Sequence, residues 1–233
     1  ELLRVEHFSD EKYFKDISFS LHKGEIVGFA GLVGAGRSEI MRALTAVTKH
    51  TEGDVYIHGE KVKLKDPSDE DRRDDGCALK LDIKRNINMS SYDMISKSGI
   101  VSLKKETQRA EEYSKSVNVK TPSISQLVGN LSGGNQQKVV IAKLLCRDPE
   151  ILIFDEPTVG IDVGAKQEIF KLIERLTAQG RGVILISSYL PEVMGLSDRL
   201  IVMAQGKITA QYDKEALKTL TEEDVLRMAS IED

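Results

Sequence analysis

Gly31–Ser38, with the sequence GLVGAGRS, is the stretch that decides the fold of this 233-residue chain. It follows an apolar run over residues 25–30 and precedes apolar residues at helical spacing over 40–47. Strand, glycine-rich turn and helix together are the context of a phosphate-binding loop, whose usual pattern is G-x-x-x-x-G-K-[ST]. Glycines let backbone N–H groups turn toward an anion, and the helix N-terminus adds positive potential. The lysine position of the pattern holds Arg37.

The second half of the chain alternates apolar strands with amphipathic helices. Strands are predicted at 151–154, 183–186 and 200–203, and helices at 134–146 and 165–179. The first of these helices is predicted to bury Val140, Ile141, Leu144 and Leu145. Continuous apolar strands between amphipathic helices indicate an α/β fold with a parallel sheet covered on both faces. A capped helix is expected from Thr221 onward.

The first half has a different pattern. Short strands near 2–5 and 17–21, and an alternating strand at 53–59 with its hairpin partner through Val62 and Leu64, predict an antiparallel β layer. Residues 65–78 are almost wholly charged and read as a loop, and 82–128 are polar and helical. We therefore expect an α/β core with its antiparallel layer over 1–81 and 149–233, and a helical subdomain over 82–148.

Three segments are expected to meet at the carboxyl ends of the parallel strands, where open α/β sheets bind ligands. They are Gly31–Ser38, Asp155-Glu156 and Ser187-Ser188. In such a crevice the Ser38 hydroxyl and the Asp155 carboxylate suit Mg²⁺. Glu156 is placed to orient or deprotonate a water molecule. A second glycine loop, Leu131–Lys138, opens a helix that Ser132 could cap, and its N–H groups offer another anion site.

These motifs resemble those of ATP-binding-cassette ATPases, in order and spacing, over essentially the whole chain. Gly31–Ser38 is similar to Walker A, Leu131–Gln137 to the LSGGQ-type signature, Ile151–Glu156 to Walker B, and Gly160–Asp162 to the D-loop. More narrowly, residues 34–38, 131–138 and 163–166 resemble the second cassette of bacterial importers of the ribose, galactose and xylose type. Importers of autoinducer-2 or nucleosides are close alternatives.

The resemblance implies a P-loop NTPase (RecA-like) core, ATP and Mg²⁺ as cofactors, and two cassettes meeting head to tail. Each ATP then lies between one Walker A and the opposite signature. The implied nucleotide ligands are Phe8, Gly31, Gly34, Ala35, Gly36, Arg37, Ser38, Glu39, Ser132, Gly133, Gly134 and Asp162. The implied metal ligands are Ser38, Asp155 and Glu70, and the implied catalytic positions are Glu156 and Ser188.

Three residues depart from the family pattern on one nucleotide face. Arg37 replaces the compact ammonium of lysine with a bulkier planar group, Ser188 aligns with the switch histidine, and Glu70 with the Q-loop glutamine. We therefore expect an asymmetric pair in which this Walker A holds ATP but hydrolyses it poorly, and the intact signature serves the partner's ATP. The alternatives are that the changes only slow turnover, or that the chain is a non-hydrolysing regulatory half.

Two further features of the sequence are each compatible with two interpretations. Phe8 is the best-placed aromatic for stacking on adenine, ahead of Tyr13 and Phe14, and a role in the hydrophobic core is equally compatible with any of them. The family's helix and strand before the Q-loop have no counterpart near 69–70. Either about ten residues are deleted there or the sequence omits them, and we favour omission because a lost central strand would leave buried backbone unpaired.

Net charge and hydropathy limit the partners and the location that are expected for the chain. A net charge of −4, with a pI near 5.7, argues against bulk nucleic-acid binding and so against a DNA-repair or translation cassette. No apolar run approaches the ~18–20 residues of a membrane span. The resemblance implies three partners: an N-terminal cassette, transmembrane permease subunits and, indirectly, an external sugar-binding protein. We expect a peripheral location on the cytoplasmic face of the bacterial membrane.

Overall fold

The computed structural model describes residues 1–64 and 76–230. Its strands are β1 Leu3–Ser9, β2 Ile17–Leu21, β3 Ile26–Gly31, β4 Glu52–Ile57, β5 Glu60–Val62, β6 Ser96–Lys97, β7 Ile100–Val101, β8 Ile151–Asp155, β9 Gly182–Ile186, β10 Arg199–Ala204 and β11 Lys207–Tyr212. Its helices are α1 Arg37–Leu44, α2 Ile83–Asn88, α3 Tyr92–Ile95, α4 Leu103–Ser116, α5 Gly133–Leu145, α6 Val163–Ala178, α7 Leu190–Leu196, α8 Lys214–Leu217 and α9 Glu222–Ala229. The predicted α/β class is confirmed.

The chain divides into two compact units. The first comprises the described residues within Glu1–Arg72, Glu150–Pro157 and Ile173–Asp233, and the second those within Arg73–Pro149 and Thr158–Leu172. The domain limits expected from the sequence, at 81/82 and 148/149, stay a prediction. Glu70 and most of the charged stretch 65–78 lie outside the described residues.

The first unit contains both sheets that the sequence pattern indicates. The antiparallel sheet has the order β2-β1-β4-β5, and the alternation of buried and half-buried residues in β2 marks a sheet with one face on the core. The second sheet has the order β11-β10-β3-β9-β8, in which β10, β3, β9 and β8 are parallel. Every residue of β9 is buried, as expected for a parallel strand covered on both faces.

One core lies between the two sheets and another lies under the C-terminal helices. Phe8, Ile17 and Phe29 belong to the first core, which includes residues of both sheets. Val193 of α7 and Val225 of α9 belong to the second, with residues of β3 and β10. Thr221 accepts from the N–H of Asp224, and Asp224 accepts from the N–H of Thr221, so the helix expected at this point begins with a capping box.

The second unit is mainly helical. Helices α2, α4 and α5 pack on one another, with the β6–β7 hairpin nearby and the first part of α6 in the same unit. The face that α5 buries matches the expected one only in part: Ile141 and Leu145 are buried, whereas Val140 is half-buried and Leu144 is exposed. Its buried side chains include Val139, Ile141, Ala142 and Leu145 together with Lys138 and Lys143, whereas Leu144 is 38% exposed. The two lysines are buried because each ammonium group finds oxygen acceptors: Lys143 donates to the Gly76 carbonyl, and Lys138 to the Asn118 carbonyl.

None of the helices in residues 1–64 and 76–230 is both long and apolar enough to cross a membrane.

Candidate functional site

Three glycines determine the backbone conformation of the loop between β3 and α1. Gly36 has φ 94° at the start of α1, and a Cβ there would lie 2.7 Å from the Tyr13 carbonyl oxygen. A Cβ at Gly31 would lie 2.6 Å from the Met203 carbonyl oxygen. Gly34, with φ 84°, faces open space. The loop is therefore held by close backbone contacts at both ends and is open in the middle, which suits an anion bound by backbone N–H groups.

Arg37 points inward at the end of this loop and is buried. Its Nη1 donates to the Ser187 carbonyl oxygen at 3.0 Å, and its Nη2 lies 4.0 Å from Glu156 Oε1. Burial lowers the pKa of Arg37, while the carboxylates of Glu156, Asp155 and Glu39 act in the opposite direction. An arginine still keeps its proton, so the loop carries a buried cation that is already hydrogen-bonded to the protein.

Glu156 is the first residue beyond β8 and has the left-handed backbone conformation, with φ 48°. Its N–H donates to the Ile186 carbonyl at 3.0 Å, which ties it to the end of β9. The Ser188 hydroxyl donates to Glu156 Oε2 at 3.2 Å. A non-glycine residue in this conformation is uncommon and costs about 1 kcal/mol or more, and such strain is concentrated at functional sites.

The structure thus brings together the three segments that the sequence placed at the carboxyl ends of the strands. Asp155 pairs in register with Ile186, next to the Ser187-Ser188 segment, and is exposed. Ser38 and Glu39 are half-buried in the first turn of α1. The Ser187 carbonyl was missed by the sequence reasoning, because a backbone acceptor leaves no signal in a residue pattern.

A magnesium ion at this site would need ligands beyond the protein. Within residues 1–64 and 76–230 no group of three or more His, Cys, Asp or Glu side chains could hold a metal ion. The donor set of one hydroxyl, Ser38, and one carboxylate, Asp155, fits Mg²⁺ in combination with phosphate oxygens and water, which is the usual coordination for this ion. The residues present therefore fit a metal that arrives with a nucleotide.

The expectation that Phe8 stacks on adenine is wrong. Its side chain has no exposed surface, and its ring stacks on Phe14 at 5.4 Å and on His50 at 4.9 Å within the core. Phe14 is buried as well, whereas Tyr13 is 49% exposed. One oxygen of Asp10 accepts from the backbone N–H groups of residues 12, 13 and 14, so three hydrogen bonds hold the loop that carries Tyr13. Tyr13 is the aromatic side chain available to a ligand in this loop.

The second glycine loop lies in the other unit. Ser132 occupies the N-cap position of α5, but its side chain makes no capping hydrogen bond, contrary to the role that the sequence suggested. Instead its Oγ accepts from Asn135 Nδ2 at 3.0 Å. Gly133 is exposed, and Gly134 is buried where its α-carbon faces Ala165 of α6. Asp162 is exposed and caps α6 by accepting from the Ala165 N–H at 2.9 Å.

The comparison with protein families decides what these two loops belong to. The family model of the ABC transporter domain matches residues 14–159, which is more than half of the chain. The chain belongs to the ATP-binding-cassette family. The fold of solved cassettes agrees: this cassette superposes on MJ1267, an ATP-binding cassette of an ABC transporter, with a TM-score of 0.82 over 98% of each chain at 23% identity.

Curated relatives of the cassette are considerably more similar in sequence. The ribose import ATP-binding protein RbsA of Caldanaerobacter subterraneus subsp. tengcongensis is 46% identical over 240 aligned positions, which cover 98% of this chain and 48% of the relative. The xylose import ATP-binding protein XylG of Thermoanaerobacter pseudethanolicus is 45% identical, over 88% of this chain and 43% of the relative. The chain spans about half the length of the curated relatives it matches.

Proposed function

We propose that this cassette binds MgATP and contributes to ATP hydrolysis that drives sugar import through an ABC transporter. The names of its relatives support the class of solute, since ribose, xylose and galactose importers all match over most of this chain. The cassette would pair with an N-terminal cassette and dock on permease subunits at the cytoplasmic face of the membrane, and a sugar-binding protein would deliver the solute. We also propose residues 82–148 as its signature subdomain.

We further propose that the site on this chain's own Walker A holds ATP but hydrolyses it poorly. The observation that carries this proposal is the buried Arg37, whose guanidinium is already hydrogen-bonded to the Ser187 carbonyl. A Walker A lysine offers a compact ammonium to the phosphates, whereas this planar group would have to leave a buried protein acceptor to do the same. The resulting unpaired carbonyl would offset part of the gain from the phosphate contact.

The carboxylate of Glu156, the proposed general base, also has partners within the protein. Ser188 donates to one of its carboxylate oxygens, and Arg37 lies 4.0 Å from the other. An attacking water would have to compete with these two protein groups for the same carboxylate oxygens. Serine at position 188 also has no positive charge to offer a γ-phosphate. These contacts support slow hydrolysis at the site on this chain.

In the proposed mechanism the backbone N–H groups of Gly31–Ser38 bind the phosphates. Ser38 and Asp155 would hold a Mg²⁺ ion, which would supply charge neutralisation at the phosphates. Tyr13 stacks on the adenine ring of the nucleotide. Ser132, Gly133 and Gly134 act on the ATP held by the partner cassette, with Asp162 at the same interface. The signature keeps its hydroxyl exposed at a helix N-terminus, which is the arrangement that an external phosphate requires.

The test measures ATP turnover of the assembled importer. We expect Arg37→Lys combined with Ser188→His to raise turnover, because it restores the compact cation and the imidazole; unchanged turnover would refute the account of the weak site. We expect Ser132→Arg to abolish turnover. Ser125→Arg, at an exposed serine in the same unit, is the matched control and should leave turnover unchanged. Unaffected hydrolysis in Ser132→Arg would show that the signature does not act on the partner's ATP.

A regulatory half that binds ATP without hydrolysing it is the second candidate. The same buried Arg37 favours it, since a cation committed to the protein fits a site that only holds nucleotide. The two candidates differ in the importer whose partner cassette has been inactivated at its own Walker B glutamate. Residual turnover there indicates a slow but working site on this chain, and turnover at background indicates a holding site.

A further inference from the structure

Asn135, one residue beyond the glycines of the signature, bridges two segments of the second unit. Its Nδ2 donates to Ser132 Oγ at 3.0 Å, and its Oδ1 accepts from the backbone N–H of Lys120 at 2.8 Å. We propose that Asn135 is a positioning residue that turns the Ser132 hydroxyl proton outward, toward a phosphate of the partner's nucleotide. The inference rests on the proposed role of the signature in trans.

The orientation of the Asn135 amide follows from chemistry. A backbone N–H can only donate, so the group that faces Lys120 must be the carbonyl oxygen of the amide. The NH₂ group must then face Ser132. The hydrogen bond from the Lys120 N–H therefore fixes which atom of Asn135 meets the serine.

The state of the Ser132 hydroxyl follows in turn. A serine hydroxyl has one proton to donate and two lone pairs that accept. Asn135 occupies one lone pair, and Ser132 makes no capping bond to the N–H groups of α5. No donation by the Ser132 proton is found among the described residues, and the residue is exposed. Phosphate oxygens at neutral pH can only accept, so a serine whose lone pair is occupied and whose proton is available presents the matching group.

An ionic cluster of Lys120, Glu168 and Lys138, of which only Lys138 is buried, holds Lys120 beside Asn135. Lys120 Nζ donates to Glu168 Oε1 of α6 at 2.8 Å, and the same carboxylate accepts from Lys138 of α5. Lys138 is only 2% exposed and also donates to the Asn118 carbonyl at 3.0 Å. The segment 118–120 is thus attached to α5 and α6 by both backbone and side-chain contacts. That attachment keeps the Lys120 N–H in the position that orients Asn135.

The test is a double-mutant cycle on ATP turnover of the assembled importer, with Asn135→Ala, Ser132→Ala and the double variant. Losing a hydrogen bond to a charged phosphate corresponds to a drop of about 10-fold or more, so each single variant should fall by that factor. Because Asn135 is proposed to act through the Ser132 hydroxyl, the double variant should be no slower than Ser132→Ala alone. If Asn135 had a purely structural role, the fold losses in turnover of the two single variants would multiply in the double variant.

A second variant covers the case in which Asn135→Ala unfolds. Asn135→Asp keeps the acceptor for the Lys120 N–H but replaces the donor, so the serine proton should turn inward and turnover should fall with an unchanged unfolding midpoint. In the Ser132→Ala background this substitution should add no further loss. Gln108→Ala, at an exposed amide of α4, is the matched control and should leave turnover unchanged.

The outcomes separate the inference from the proposed function. Normal turnover of Ser132→Ala would overturn the proposed role of the signature serine and, with it, the positioning role of Asn135, while leaving the proposed ATP-driven import intact. If turnover of Ser132→Ala is slow, two results would overturn the positioning role alone. One is that the turnover losses of the single variants multiply in the double variants, and the other is that the Asn135 variants keep normal turnover. Non-additive losses at both substitutions would support it.

Discussion

Gly134→Ala should destabilise the second unit, although alanine is the better helix former. A Cβ at Gly134 would lie 2.4 Å from the Ala165 Cβ, far inside ordinary contact, and 3.5 Å from Ile161 Cγ2. Overpacking of this kind costs about 1–3 kcal/mol, and the 2.4 Å approach between two fixed carbons favours the upper end. Since alanine returns up to about 1 kcal/mol of helix propensity, we expect a net loss of about 2 kcal/mol in the free energy of unfolding.

The neighbouring glycine provides the control. A Cβ at Gly133 would have the Gly160 carbonyl oxygen as its nearest atom, at 3.5 Å, which is ordinary van der Waals contact. Gly133→Ala should therefore change the free energy of unfolding by no more than about 0.5 kcal/mol. Urea unfolding followed by circular dichroism measures both variants, with the m-value showing whether the denatured state has changed.

A compensating change tests the cause. Ala165→Gly removes the carbon that Gly134→Ala would meet, and the nearest remaining contacts, with Ile161 Cγ2 at 3.5 Å and the α-carbon of residue 165 at 3.7 Å, are unstrained. We expect a coupling energy of about 2 kcal/mol between the two substitutions, so that the double variant is more stable than the sum of the single effects. Equal losses at Gly133 and Gly134, or additive losses at 134 and 165, would show that the close approach of α5 and α6 is not the cause.

Two further predictions concern residues whose environment the structure defines. Hydrogen bonds from Lys120 and Lys138 hold the pKa of Glu168 at about 2, against an ordinary value of 4.5, so its stabilising contribution is complete above about pH 4.5 and disappears as the pH falls toward 2. The difference in unfolding free energy between wild type and Glu168→Gln should therefore shrink over that range, and a constant difference would contradict the assignment. Phe8→Ala should cost about 3–5 kcal/mol in urea unfolding, because it empties a fully buried site. Tyr13→Ala should change the free energy of unfolding by no more than about 0.5 kcal/mol but weaken ATP binding measured by calorimetry. An unchanged affinity for ATP would exclude Tyr13 as the side chain that stacks on adenine.

The regular part of the fold could be predicted because apolar spacing has a direct physical meaning. The run at 183–186 belongs to β9, with all its side chains buried, and the Thr221 signal belongs to a true capping box. Hydrophobic periodicity fails where a polar residue is buried with partners. Lys138 and Lys143 lie inside because oxygen acceptors from distant segments surround them, and no local pattern contains those acceptors.

The candidate site could be predicted in outline but not in its contacts. The order of the glycine loop, Asp155-Glu156 and Ser187-Ser188 identified the strand ends that meet. The sequence pattern could not place Phe8, since an aromatic at the end of a strand suits the core and a ligand equally well until its exposure is known. The sequence pattern also predicted Ser132 as a helix cap, because a serine before a helix usually accepts a hydrogen bond from the backbone. In the structure the Asn135 side chain donates to the Ser132 hydroxyl oxygen instead.

Two of the three departures from the family pattern, Arg37 and Ser188, are physically linked through the end of β9. Arg37 reaches the Ser187 carbonyl, and the next residue, Ser188, donates to Glu156, so the segment that carries the switch position is held by the arginine on one side and by the proposed base on the other. Arg37→Lys alone would leave that carbonyl without its side-chain donor, and Ser188→His alone would place an imidazole beside a guanidinium that still occupies the site. Each single substitution should therefore raise turnover less than its share of the double, so the gains should be more than multiplicative in the assembled importer. Gains that simply multiply would mean that the arginine and the serine act independently.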